Sequence, residues 1–255
     1  MSGVRGLIFA GDIYMEPFLS DGSLGAMIGP FEGGKFAMKP NSEQMDMISN
    51  GRDTFGQIVE TVGVPGASDL DVTFNEHSPE IMALGLMGTV IALTQTAGSW
   101  TAGNEPPVLA KLDKWVGLPK AALGSAIVVK DSGGTTTFVE GTDYLLNRAL
   151  GRVKAITGGA ITDDQPLKLT GPYDAFGGST ILGMQQANLR VRFTLDGINY
   201  LDRAPCIVTV WEAVLASSEP LDFYSRKYAT VSLKGRMKTP AGMTFPYKVD
   251  LRQPT

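Results

Sequence analysis

The sequence contains one cysteine and one histidine, and this shortage excludes several kinds of site. Cys206 alone cannot form an intramolecular disulfide or a cysteine-based zinc site. It lies in the run 206–210, which is rich in β-branched residues, where a cysteine is usually a small buried side chain. A nucleophilic cysteine needs a base, but His77 directly precedes a predicted helix, where a solvated histidine is typical. No cysteine-dependent enzyme is expected.

Charge of one sign and long hydrophobic runs are also scarce. The formal net charge is −4, and no long run of either sign occurs. The sequence therefore shows no basic cluster of the kind that binds DNA or an anionic membrane. The longest uncharged stretch, 81–104, is interrupted by glycines, and its strongly apolar part ends at Leu93. A membrane span needs about 20 apolar residues. With no targeting segment visible at the start, we expect the protein in the cytoplasm until it is assembled.

Two patterns that can indicate catalysis have simpler interpretations. Residues 29–36 match the first seven positions of a phosphate-binding loop, but Phe36 stands where Ser or Thr would hold Mg²⁺. Neighbouring carboxylates such as Asp69 and Asp71 are more typical of a wet strand face than of a catalytic pair. We therefore predict no catalytic, cofactor-binding or metal site, and a protein that is not an enzyme.

The abundant residues indicate a mainly β fold. The 31 glycines and 15 prolines mostly separate short runs of alternating apolar residues. In 68–75, for example, Leu70, Val72 and Phe74 share one face, which predicts a half-buried strand. Residues 34–40 and 43–48 look like a strand pair around Pro40-Asn41.

One helix is predicted over about residues 78–88. Ser78 suits the N-cap and Pro79 the first helical position. Ile81 and Leu84 form the apolar stripe that should pack on a sheet, and Gly88 is the expected stop. A second short helix is weakly indicated at 217–226.

A glycine- and proline-rich stretch, 99–107, divides the chain. We predict a small inserted β subdomain at 106–173, within a main β domain made of 1–105 plus 174–255.

The segment 20–34 has five glycines, one proline and no sustained period, so it is predicted to be an irregular loop. A structureless loop of this length is unusual in a compact domain unless it is functional or disordered. Its apolar residues are candidates for burial on assembly, although packing on their own subunit is the alternative: Leu24, Met27, Ile28 and Phe31.

Three passages resemble segments of bacteriophage tail tube (major tail) proteins. The first has a sheet-then-helix order, the second is similar to a Y-x-x-G-x-D-Y…G-x-I hairpin of phage virion proteins, and the third resembles a late strand pair. In the second, Phe138 replaces the first tyrosine and Val153 the isoleucine. The first passage comprises residues 57–65, 70–76 and 79–88. The second comprises 138–147 and 151–156, and the third comprises 195–210.

The resemblance implies a β-sandwich or barrel with a flanking helix, a fold shared with the type VI secretion tube. Six copies would form a ring, and rings would stack into the virion's tail tube, through which DNA passes transiently. Expected partners are the chain itself and the tape measure, terminator and baseplate proteins, first in the host cytoplasm. Glu60, Asp69 and Asp71 are candidates for the water-facing wall of the tube. Alternatives are a tail terminator, a baseplate protein, a head-decoration protein or a carbohydrate-binding β-sandwich.

Overall fold

The computed structural model describes residues 6–19, 21–106 and 108–252. These residues form 19 strands and one short helix, so the mainly β fold predicted from the sequence is confirmed. The chain divides into two compact units, Met1–Ile91 with Ile181–Thr255, and Ala92–Thr180. The segment predicted as an insertion, 106–173, lies inside the second unit, which extends further at both ends.

The first unit contains most of the long strands. Its first part holds β1 Phe9–Pro17, β2 Ile28–Phe31, β3 Gly33–Lys39, β4 Ser42–Ile48, β5 Ile58–Pro65, β6 Asp69–Phe74, helix α1 Pro79–Gly85 and the start of β7 Thr89–Gln95. In chain order the second unit follows, with β8 Gly98–Trp100, β9 Val108–Leu109, β10 Val116–Gly117, β11 Val128–Asp131, β12 Tyr144–Asn147, β13 Arg152–Ala155, β14 Pro166–Tyr173 and most of β15 Phe176–Leu182. The first unit then ends with β16 Leu189–Asn199, β17 Pro205–Ser217, β18 Val231–Met237 and β19 Tyr247–Leu251.

An eight-stranded sheet forms the body of the first unit. Its order is β2-β1-β16-β17-β18-β6-β3, and β19 pairs with β17 beside β18. The sheet curls around one core. Phe36 on β3 packs edge-on against Phe193 on β16, with ring centroids 6.0 Å apart, although the two strands are four positions apart in the sheet. Since β2 leads directly into β3, the chain itself links the two ends of the sheet.

The inward faces of these strands follow the two-residue period of the sequence. Leu70, Val72 and Phe74 are all buried, as predicted. The predicted pairing around Pro40-Asn41 is wrong, because β3 pairs with β6 and β4 pairs with β5. Residues 39–42 therefore join two segments of one long hairpin instead of forming its turn.

Helix α1 packs against β17 and β18. The Ser78 hydroxyl accepts a hydrogen bond from the backbone N–H of Ile81, so the predicted N-cap is confirmed. Ile81 is fully buried in the core, and Leu84 packs on it while half-buried. The helix ends at Gly85, three residues before the predicted stop at Gly88. A Cβ at Gly88 would meet the backbone of Leu182.

The prediction of an irregular loop over 20–34 is wrong in its second half. Residue 20 lies outside the described residues. Ile28 to Phe31 form β2, paired with β1, and β3 begins at Gly33. Phe31 is buried against Phe74, with ring centroids 6.1 Å apart, because its side chain faces the core of its own subunit. Ile28 is half-buried on the same core, and only Leu24 and Met27 of the four candidates are exposed.

The second unit is built from short strands around its own core. β10, β13 and β12 form one sheet, and β11, β14 and β8 another, with β9 also paired to β14. Its core members are mostly aliphatic and aromatic: Trp100, Val108, Ala110, Leu123, Ile127, Val129, Phe138, Tyr144, Val153, Ala155, Ile161, Leu167 and Leu169. β7 and β15 form a separate two-stranded ribbon, and the boundary between the units falls within both of its strands.

The turn within the passage 138–147 is held by one buried carboxylate, that of Asp143. Asp143 accepts hydrogen bonds from the backbone N–H groups of Ala160 and Val139, each at 2.8 Å. These bonds hold the pKa of the Asp143 carboxyl below its usual value, because they stabilise the charged form. Gly141 has a φ of 86°, a conformation that glycine adopts without strain. The motif thus encodes a tight, internally bonded turn in the second unit.

Candidate interaction surface

The most unusual feature of the first unit is the hairpin of β4 and β5. The two strands pair over their whole length and form a sheet of their own. All seven residues of β4 and all eight residues of β5 are exposed. A two-stranded hairpin is marginally stable at best when it packs on nothing. This hairpin is therefore a candidate surface for contact with another molecule.

The hairpin continues the β3–β6 pair beyond the large sheet, and Asn41 fixes the junction. The Asn41 amide donates to the carbonyl of Ala67 and to the Asp69 carboxylate, both at 2.8 Å. The Asn41 carbonyl accepts from the N–H of Gly66 at 2.8 Å. The base of the hairpin is thus held by hydrogen bonds between its two chain segments.

The two faces of the hairpin differ in polarity up to the irregularity between Met47 and Ile48; beyond it, the exposed Ile48 and Ile58 lie opposite each other. Residues that lie opposite each other in an antiparallel pair share a face. Met45 lies opposite Val62, and on the same face Val64 and Met47 occupy the neighbouring pairs. We call Met45, Met47, Val62 and Val64 the hairpin apolar face; Met45 and Met47 are each 62% exposed.

Acidic residues border this face. Glu43 lies opposite Val64, and Glu60 lies opposite Met47, so one carboxylate stands at each end of the hairpin apolar face. Asp46 lies on the other face and accepts a hydrogen bond from the Thr61 hydroxyl at 2.8 Å. The two strands contain no lysine or arginine. The hairpin apolar face is therefore bordered by acidic residues and by no basic residue of the two strands.

A second exposed surface lies in the connection between β17 and β18, residues 218–230. Its aromatic side chains are almost fully in solvent: Phe223 is 70% exposed, Tyr224 97% and Tyr228 101%. Arg226 and Lys227 lie between the two tyrosines. We call residues 222–228 the aromatic loop. The helix weakly predicted at 217–226 is wrong, because β17 runs to Ser217 and the loop is built from turns.

Local hydrogen bonds shape the aromatic loop. The Tyr224 N–H donates to the Asp222 carboxylate at 2.8 Å, and the Lys227 N–H donates to the Ser225 hydroxyl at 3.1 Å. Such side-chain bonds to the backbone two residues on are turn-forming and compete with a helix. The sequence carried a signal for this surface, since Tyr224 and Tyr228 flank Arg226 and Lys227 and lie in no run of alternating apolar residues.

The three candidates for a water-facing acidic wall do not gather on one surface. Glu60 is on the hairpin, whereas Asp69 and Asp71 are on β6. Asp71 forms ion pairs with Lys35 and Lys234, and Asp69 lies 4.0 Å from Arg236. The two aspartates therefore do not make their face acidic.

The residues that could suggest catalysis lie apart. Cys206 is buried in β17, and burial raises the pKa of its thiol, while His77 is exposed. The segment 29–36, which matched part of a phosphate-binding loop, belongs to β2 and β3. Among the residues that the structure describes, no cluster of His, Cys, Asp and Glu could hold a metal ion. Within the same residues, no helix is long and apolar enough to cross a membrane.

A cleft of about 540 Å³ opens beside β3 and β19. Its lining is mostly apolar, with Phe9, Phe36, Met38 and Cys206 among it, and Lys35 is the charged residue among the described lining residues. A binding site for a small molecule usually combines an apolar lining with several convergent polar groups. The cleft offers none, and it marks where the curled sheet is incompletely closed.

Comparison with known proteins places the chain in a family. A family model described as "Protein of unknown function UCP028589" matches residues 7–239. No curated protein matches the chain. The matched residues include the whole second unit, the β4–β5 hairpin and the aromatic loop, so both exposed surfaces lie within the part that the family model covers. The chain belongs to this family of proteins of unknown function, UCP028589.

Proposed function

We propose that this chain is a structural subunit that assembles with copies of itself into rings of six, and that the rings stack into a tube of the phage tail type. The single observation that carries the proposal is the β4–β5 hairpin, which leaves every residue of both strands exposed. The ring number and the passage of DNA through the tube are drawn from the tail tube resemblance.

A two-stranded hairpin that packs on nothing is marginally stable at best. The hairpin apolar face keeps two methionines and two valines in water, which costs free energy that burial against a partner would recover. Contiguous exposed apolar patches on soluble proteins usually mark interaction sites. Among the described residues, the hydrogen bonds that hold the hairpin to the rest of the unit lie at its base, around Asn41, so the rest of the hairpin is free to contact a neighbouring molecule.

Unpaired strand edges add a second means of association. β3 pairs only with β6, and β19 pairs only with β17, within the described residues. Their free edges carry backbone N–H and C=O groups that another strand can satisfy. Edge pairing between copies would extend the sheet from one subunit to the next, which supports ring formation. A structural role also agrees with the mostly apolar lining of the cleft beside β3 and β19.

Electron microscopy of the purified protein tests this proposal. We expect tubes of stacked rings, which form above a threshold protein concentration. Closed single rings would favour a tail terminator or another ring component, and monomers at every concentration would refute self-assembly.

A matched pair of variants links assembly to the hairpin. Met45→Gln with Val62→Thr makes the hairpin apolar face polar at nearly constant shape and should abolish tubes. Thr61→Val changes the opposite face by the same isosteric logic and should leave them intact.

A further inference from the structure

The hairpin apolar face and the aromatic loop, the two exposed surfaces of the first unit, have complementary side-chain chemistry. The hairpin apolar face is a flat strip with two methionines, and the aromatic loop presents three uncovered rings. Methionine sulfur makes favourable contacts with aromatic rings and adapts to irregular surfaces. Aromatic side chains bury a large apolar area at a low cost in conformational entropy, which makes them frequent interface anchors.

Their charges are also opposite. Glu43 and Glu60 stand at the two ends of the hairpin apolar face, about 14 Å apart along the strand direction at the usual rise of about 3.4 Å per residue. Arg226 and Lys227 lie at the tip of the aromatic loop, between its tyrosines. Within the described residues none of these four side chains forms an ion pair. Each surface therefore has unpaired charges that the other can neutralise.

We infer that the aromatic loop of one copy docks on the hairpin apolar face of the next copy, with Arg226 and Lys227 against Glu43 and Glu60. This inference rests on the proposed function and names the surfaces that join one copy to the next. The contact is heterologous, because the two copies contribute different patches. A heterologous contact repeats from copy to copy and generates rings or open stacks, whereas a contact between identical patches stops at a dimer.

Charge reversal tests the pairing directly. Arg226→Glu with Lys227→Glu gives a loop-reversed variant, and Glu43→Lys with Glu60→Lys gives a hairpin-reversed variant. In each variant alone, like charges face each other, so we expect the protein concentration needed for assembly to rise about tenfold or more at low salt. The increase should shrink in 1 M salt, where exposed charges are screened.

Mixing the two variants is the decisive step. In a 1:1 mixture, an acidic loop meets a basic hairpin, and a basic loop meets an acidic hairpin, so assembly should return to the parent threshold. Rescue by mixing also shows that both variants are folded, since a misfolded subunit cannot be restored by a partner.

The outcomes separate this inference from the proposed function. If the parent forms tubes but the variants assemble as the parent does, or mixing gives no rescue, the pairing is refuted while self-assembly stands. If the parent forms no assembly under any condition, both fail. Tubes that are lost in the hairpin-reversed variant but kept in the loop-reversed one would show that another surface covers the hairpin.

Discussion

Replacing Ile81 with alanine should destabilise the first unit by more than the same replacement of Leu84 in its helix. Ile81 has no exposed surface, and α1 lies against β17 and β18 in the large sheet. Because the helix has only seven residues, its stability comes from this packing and not from its own hydrogen bonds.

The size of the effect follows from the atoms removed. Ile81→Ala deletes three buried carbon groups, worth about 2.4 kcal/mol at about 0.8 kcal/mol each, and the cavity adds to this loss. We expect about 3 kcal/mol, or a melting temperature lower by about 6–12 °C for a unit of this size. Leu84→Ala is the matched control, because Leu84 is only half-buried, and it should cost about half as much.

The single cysteine provides an assay for the first unit alone. Cys206 lies in β17 at the apolar cleft and is 3% exposed, so a thiol reagent should react with it much more slowly in the folded unit than in the opened one. Burial raises the pKa of the thiol, which further slows its reaction in the folded state, since the thiolate is the reactive form. A short labelling pulse across a urea series, on unassembled protein, measures the free energy of unfolding of each variant. Equal midpoints for the parent and Ile81→Ala, or a larger loss in Leu84→Ala, would refute the placement of the helix.

Two further substitutions test the interiors of the two units. Gly235→Ala places a Cβ against the carbonyl oxygen of Val214 in the neighbouring strand, so the same labelling assay should show a loss of about 1–3 kcal/mol, whereas Gly63→Ala meets no atom within 4 Å and should change little. Asp143 has a folded pKa below its usual value, so its stabilising effect is complete above about pH 4 and is lost as the pH falls through the lower, folded pKa. Acid titration of the melting temperature of the second unit should therefore slope less in Asp143→Asn than in the parent, and identical slopes would contradict the role of this carboxylate.

The features that the sequence predicted are those set by local chemistry. The alternation of Leu70, Val72 and Phe74 identified a buried strand face, and Ser78 identified the start of the helix. Both signals arise within one element, where the side-chain period or the free N–H groups of a first turn decide the outcome. The helix end was less predictable in detail, because Met87 and not a glycine takes the positive φ after the C-cap, while the Gly88 N–H bonds the Ala83 carbonyl at 2.8 Å.

The features that the sequence missed depend on distant neighbours. A glycine-rich segment concealed β2, whose Phe31 is buried by Phe74 from another strand. Met45 and Met47 alternate like a half-buried strand, yet every residue of β4 and β5 is exposed. Local pattern fixes which residues share a face, but only the remaining fold decides whether anything packs on it.

Amide hydrogen exchange shows whether another copy covers the hairpin. Backbone exchange of residues 42–65 is measured in unassembled protein and in the assembled form, with the strands of the second unit as the internal reference. We expect fast exchange in the hairpin before assembly and slow exchange after it, with little change at the Asp143 turn. Equal exchange of the hairpin in both states would contradict its coverage by another copy.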